Sequence, residues 1–286
     1  MTAYQGSVTA RICAWARAYY SKSENHPSFN DYLAEKIIED DRRLLLNLIL
    51  KKRRQQQQGV FKKQVIDLIL PIPVSRSIFA EREFLEFKKI NPNAQYLILG
   101  AGLDTFAWRS DSEQVSFFEV DHPFFQTIKK QRINTLKLGN RAVFVPVDFK
   151  TDSLEQKLLE AGFDKSRPTF VTIMGVSYYL NFETFLSTMR DILKLSDRQT
   201  VLFDFYEEKN ISDADSRFEE LRNLTSLLGE PMSDGYKANN VISALEGLGF
   251  EVEHKTPQEI KEKFITGHIQ NLKGYSNIHF IKASKN

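Results

Sequence analysis

Five short apolar runs in the middle of the chain constrain its fold most: YLILG from Tyr96, VSFFEVD from Val115, AVFVPVD from Ala142, TFVTIMG from Thr169 and TVLFDFY from Thr200. Between them lie intervals of helical character, Pro123 to Leu138, Ser153 to Ala161 and Phe182 to Leu195. Runs that are apolar on both sides of a strand must be covered on both faces. Strands separated by helix-length intervals pair in parallel. An α/β sheet clad in helices is predicted. Its ending breaks the rhythm: Asn240 to Gly247 reads as helix, FEVEHKT from Phe250 as a strand, and IHFIKA from Ile278 as a last strand able to return antiparallel.

The first 90 residues carry helical periodicity instead, around Val8 to Tyr20, Asp31 to Leu50 and Val60 to Leu70. Asn30 or Asp31 can cap the second helix, with Glu35 favouring its positive end. Pro71 and Pro73 interrupt the pattern, so the next helix is predicted over Ser75 to Lys89, with Phe79, Phe84, Leu85 and Phe87 buried. The chain divides on this reading into a helical cap over residues 1–90 and a core over residues 91–286. Within the core, about 207–239 is polar and too long for an ordinary loop. It follows the fifth strand at the carboxyl edge of the sheet, where open α/β folds bind ligands, and is a candidate lid.

Composition excludes several partners. Among 286 residues, 39 basic and 37 acidic side chains leave a net charge of +2, too balanced to require nucleic acid. The basic run KKRRQQQQ at Lys51 to Gln58 reads as a solvated helix end or loop rather than as a contact for nucleic acid or an acidic surface. Cys13 is the only cysteine, which leaves no intramolecular disulfide and no site of several thiolates; no metal is expected. Arg11 and Arg17 interrupt the apolar amino-terminal segment, and LLLNLIL at Leu44 to Leu50 is far shorter than the roughly 20 residues of a membrane span. A cytoplasmic protein without a membrane partner is expected.

The chemistry concentrates at the ends of the first three strands. Gly100 and Gly102, with Ala101 between them, follow a buried strand, where a glycine's missing Cβ allows a tight turn and close approach of a ligand. A dinucleotide fingerprint would continue to a third glycine, but here that place is Thr105, preceded by Asp104. A carboxylate repels a pyrophosphate and suits an ammonium or hydroxyls. Asp121, about 20 residues on, ends the second strand where an acid accepts both hydroxyls of a ribose; it equally suits a cap for the helix opened by Pro123. Asp148 and Phe149 end the third strand and offer a carboxylate and a ring to an adenine, or a plain helix cap. Without a lysine-bearing phosphate loop, an adenosine ligand lacking phosphate fits better than a dinucleotide. S-adenosylmethionine is the commonest such cofactor.

These residues resemble the leucine carboxyl methyltransferase family, including its bacterial O-methyltransferase branch associated with polyketide-type secondary metabolites. The resemblance rests on LGAGLDTFAWR at Leu99 to Arg109, FFEVDHP at Phe117 to Pro123, VDF at Val147 to Phe149 and GVSYYL at Gly175 to Leu180. RAYYSKSENHPSFNDYLA at Arg17 to Ala34 and VSRSIFAERE at Val74 to Glu83 extend it, so that it covers roughly residues 10 to 206.

The resemblance implies a class I methyltransferase core, Rossmann-like and mostly parallel with an antiparallel last strand, using S-adenosylmethionine. By position, Gly100 approaches the methionine part of the cofactor, Arg76 grips its carboxylate, Asp121 holds the ribose, and Asp148 and Phe149 flank the adenine, with Ala101, Gly102, Asp104, His122, Met174 and Gly175 in the same site. Many members carry glutamate where this chain has Met174, which removes a charge and an acceptor. Either Asp104 and backbone groups suffice, or affinity is lower, or turnover is lost. Glu81 stands where the family has aspartate.

The implied reaction is methyl transfer to a carboxyl or hydroxyl oxygen of a small molecule. Tyr20, Tyr178, Tyr179, Tyr206 and His268 are candidates to face that substrate, although core packing accounts for each equally well. Methylation of a protein carboxyl terminus, and a non-catalytic cofactor-binding protein, are the alternatives.

Overall fold

A computed structural model describes residues 7–23, 29–38, 66–149, 151–207, 216–265 and 272–285. The amino-terminal part contributes helices α1 (Val8–Ser23), α2 (Ala34–Ile37) and α3 (Pro71–Ile90). Then follow β1 (Gln95–Leu99), α4 (Phe106–Arg109), β2 (Ser116–Asp121), α5 (Pro123–Thr135), β3 (Ala142–Pro146), α6 (Leu154–Glu160), β4 (Thr169–Ile173), α7 (Phe182–Leu193) and β5 (Gln199–Tyr206). The remaining elements are α8 (Ser216–Leu227), α9 (Ala238–Gly247), β6 (Glu251–Lys255), α10 (Pro257–Phe264) and β7 (Ile278–Lys285).

The strands form one seven-stranded sheet in the order β3-β2-β1-β4-β5-β7-β6. The first five pair in parallel, and β7 runs antiparallel to β5 and β6, as the sequence pattern predicts. Strand order reverses between β1 and β4, which opens a crevice at their carboxyl ends.

Alternate residues of each strand supply two separate cores. Tyr96, Ile98, Phe117, Phe170, Leu202 and Phe280 pack under α1, α3 and α10. Leu97, Phe118, Val171, Ile173, Val201 and Phe203 pack under α6, α7 and α9. Every residue of β1, β4 and β5 is buried, which explains their mostly apolar character. Edge strand β3 is half-buried. On the first face Phe84 of α3 fits among the rings of Tyr96, Phe106 and Phe170, at centroid distances of 4.7, 5.5 and 5.4 Å. Each such ring buries enough apolar surface to contribute about 1.5–3 kcal/mol. The amino-terminal helices thus share a core with the sheet.

Two expectations change. Helix α3 starts at Pro71 rather than Ser75, because a proline in the first turn has no N–H that the helix needs, and its fixed φ already suits the helix. Leu85, expected inside, is 48% exposed; Phe84 and Phe87 take the buried side, and Leu85 lies about 100° around the helix from Phe84. The predicted helix beyond residue 38, the KKRRQQQQ run, residues 60–65 and 208–215 and His268 lie outside the described residues. Among those described, no helix is long and apolar enough to cross a membrane.

Candidate functional site

The turn after β1 is held by the neighbouring strand. Gly100 and Ala101 donate their N–H groups to the Val120 carbonyl at 2.9 and 3.1 Å. Gly102 N–H donates to Asp121 Oδ2 at 2.7 Å, and His122 N–H to Asp121 Oδ1 at 2.7 Å. Burial pushes the Asp121 carboxyl above its ordinary range, and these two backbone donors pull it back. Gly100 has φ +69°, and a Cβ there would collide with Val176 Cγ2. The glycine therefore admits the turn after β4. Asp104 Oδ1 accepts the Phe106 N–H at 2.7 Å, at the start of α4.

Behind the turn lies a buried ion network. Asp31 accepts from Arg17 Nε at 2.8 Å and from the Thr105 hydroxyl at 2.6 Å, and Arg109 Nε lies 3.2 Å away. Arg17 Nη2 also donates to the Leu103 carbonyl at 2.7 Å, and Arg109 Nη2 pairs with Glu81. Burial opposes ionisation of Asp31, but the Arg17 and Arg109 charges prevail and hold its carboxyl below the ordinary range. At Glu81 burial wins and pushes the carboxyl up to about 7 despite Arg109. Thr105, standing where a dinucleotide site has its third glycine, thus ties the turn to the amino-terminal helices.

The opposite wall is built on β4 and β5. Gly175, with φ +76°, has no room for a Cβ, which would meet Arg76 Nη1 at 2.8 Å. Its N–H donates to Asp204 Oδ1 at 2.7 Å. Asp204 Oδ2 accepts from Arg76 Nε at 2.5 Å and from the Tyr178 hydroxyl at 2.8 Å. The Arg76 guanidinium carbon lies 4.8 Å from the centre of the Tyr178 ring. Sequence reasoning missed Asp204. The available signal was an acid within the otherwise apolar strand TVLFDFY, which burial obliges to find partners.

Residues after β5 form the roof, where a lid was expected. Leu221, Leu224, Leu228 and Met232 face the cavity. Glu230 accepts the Val8 N–H at 3.1 Å and the Thr9 hydroxyl, joining the roof to the start of α1. Ser233 N–H donates to the Tyr178 carbonyl at 2.7 Å.

These walls enclose a cavity of about 550 Å³. It brings together Arg76, Gly100, Ala101, Gly102, Asp104, Asp121, Met174, Gly175, Tyr178 and Tyr179, all singled out from sequence. His122, Asp148 and Phe149 lie outside it. His122 caps α5, accepting the Phe124 N–H at 3.3 Å, and its Nε2 is 4.0 Å from Asp148 Oδ2; Phe149 is exposed. Tyr20 and Tyr206 differ from expectation. Both are buried off the cavity, Tyr20 beside Phe29 and Tyr206 between Tyr178 and Phe218. Their faces of α1 and β5 point into the core.

Comparison with known proteins identifies the family. The family described as leucine carboxyl methyltransferase matches residues 10–193. A protein of Bacillus subtilis (strain 168) named as an S-adenosyl-L-methionine-dependent methyltransferase is 30% identical over 305 residues, covering 98% of each chain. One of the same name from Mycobacterium sp. (strain KMS) is 30% identical over 187 residues, 63% of this chain and 69% of its own.

Two solved structures share the fold. A protein of Thermobifida fusca named as a methyltransferase superposes with a TM-score of 0.57 at 14% identity, covering 99% of this chain and 97% of its own. Magnesium protoporphyrin IX methyltransferase of Synechocystis, with bound S-adenosylhomocysteine, gives 0.50 at 13% identity, covering 96% of this chain and 100% of its own. The shared architecture is the class I methyltransferase sheet. The chain belongs to the leucine carboxyl methyltransferase family and, with it, to the enzymes that take a methyl group from S-adenosylmethionine.

Proposed function

We propose that this protein is an O-methyltransferase that methylates a carboxyl or hydroxyl oxygen of a small metabolite in the cytoplasm. The observation that carries the reading is a cavity lined both by polar groups, the β1 turn, Asp121 and Arg76 among them, and by aliphatic side chains of the roof and of α1 and α3, among them Ile12, Ile72, Leu224 and Met232.

The polar groups fit the cofactor. Each Asp121 oxygen accepts one backbone N–H and keeps a lone pair for a ribose hydroxyl. Arg76 spends its Nε on Asp204, which leaves its Nη fork for the amino-acid carboxylate. Gly100 and Gly102 keep the backbone low beneath the methionine part. His122, Asp148 and Phe149, beside the cavity, offer an open shelf to the adenine. When bound, S-adenosylmethionine supplies an electrophilic methyl group on a sulfonium.

The chain's own residues then orient and dry the reacting groups. Fixing donor and acceptor in line removes the entropy cost of their encounter, and the apolar roof excludes water. The cavity tyrosines are poor bases. Burial raises the Tyr178 hydroxyl well above its ordinary range and pushes Tyr179 up to about 12. An acceptor that arrives ionised, as a carboxylate does, needs no base.

The test is incubation with methyl-labelled S-adenosylmethionine and fractionated small metabolites, followed by mass spectrometry of labelled products. Label released by mild base identifies an ester, and base-stable label on oxygen an ether. Label on nitrogen, or transfer to no metabolite fraction, contradicts the proposal.

A further inference from the structure

Asp204 lies in the middle of β5 and is fully buried, between Phe203 and Phe205. A carboxylate in such a place persists only if its lone pairs are occupied. Three donors occupy them: Gly175 N–H on Oδ1, and Arg76 Nε and the Tyr178 hydroxyl on Oδ2. All three donor residues line the cavity, whereas Asp204 does not. The carboxylate thus acts on the site only through the groups it holds.

Arg76 is the group most constrained. Asp204 fixes its Nε, Tyr178 lies beneath its guanidinium at 4.8 Å, and Gly175 leaves just enough space for its Nη1. An arginine that grips a ligand normally gives up rotamer freedom on binding; here that freedom is already gone before the ligand arrives. Met174, on the same wall, contributes a thioether and no charge. The negative charge behind this wall comes from Asp204.

We propose that Asp204 is the positioning residue of the methyl-donor site, holding Arg76, Tyr178 and the Gly175 turn so that the guanidinium fork meets the amino-acid carboxylate of the cofactor already oriented. The inference rests on the methyltransferase reading of the cavity. Its signature is selectivity: Asp204 matters for ligands that carry the amino-acid tail and is indifferent to the nucleoside.

The test is calorimetry of wild type and Asp204→Asn with two ligands, S-adenosylhomocysteine and 5′-methylthioadenosine, which lacks the amino-acid tail. The amide keeps the shape but cannot accept from all three donors. Affinity for S-adenosylhomocysteine is expected to fall about tenfold or more, with methylthioadenosine unchanged within about twofold. Equal losses for both ligands reduce Asp204 to general support of the fold and overturn the proposal, as does no loss at all. Wild type binding neither ligand sinks the methyltransferase reading and this inference with it.

Should Asp204→Asn fail to fold, nitrogen-15 NMR of wild type supplies the second measurement, with the Arg76 Nε–H signal assigned by Arg76→Lys. A slowly exchanging signal before ligand is added supports pre-orientation. A signal averaged by exchange with water overturns it.

Discussion

Gly175 joins backbone and chemistry at one atom. Its φ of +76° disfavours any side chain, and the missing Cβ is the space that Arg76 Nη1 fills at 2.8 Å. Gly175→Ala is expected to destabilise the protein by about 1–3 kcal/mol in urea unfolding and to weaken S-adenosylhomocysteine binding as Arg76 is displaced. Unchanged binding would separate Gly175 from the arginine. On the proposed ribose assignment, Asp121→Ala is expected to weaken the same ligand by about tenfold or more through loss of a charged acceptor; unchanged affinity rejects that assignment. The place of Asp121 at the cavity was legible because it ends the strand beside the glycine turn, whose Gly102 N–H it accepts. Asp204 was missed although its apolar strand marks it as an acid in need of partners, because the partners themselves come from positions 76, 175 and 178 and nothing local names them. Tyr20 and Tyr206 were legible as aromatic and near the motifs, but which way a ring points depends on the packing of α1 and β5.

The alternation of strand and helix from Tyr96 onward was readable because a strand covered on both faces shows a mostly apolar run. The start of α3 was misplaced because proline was read as a stop, when at Pro71 and Pro73 it opens the helix. A reciprocal cap stands before α10: Thr256 accepts the Glu259 N–H at 3.3 Å while Glu259 accepts the Thr256 N–H at 2.9 Å. Thr256→Ala is expected to cost about 1 kcal/mol and to lower Tm accordingly, without altering cofactor affinity. The tie between α1, α2 and the β1 turn is larger. Asp31→Ala strands Arg17 and Arg109 beside one another in a buried place and is expected to cost about 3–5 kcal/mol, read as a large drop in the urea midpoint.

Charge burial also makes the stability of the fold depend on pH. Lys129 Nζ lies 2.6 Å from Glu119 Oε2 with both side chains buried under the β2 end, and desolvation pushes the Glu119 carboxyl up to about 7 despite the ammonium. Between its ordinary 4.5 and about 7 the native state keeps a proton that the unfolded chain has released. This group's contribution to stability therefore falls as pH rises through that window. Comparing urea midpoints at about pH 5 and about pH 7.5, wild type should lose more than Glu119→Gln; an equal or smaller loss contradicts the assignment.

The sheet, the helical cover and the roof after β5 together line a cavity with both polar and apolar side chains, and the proposed function assigns it to S-adenosylmethionine and a small acceptor. Calorimetric titration of the wild-type chain with S-adenosylmethionine, S-adenosylhomocysteine and NAD decides the matter. Saturable binding of both methyl-cycle ligands and none of NAD is the expected result; binding of NAD alone, or of none of the three, would contradict it.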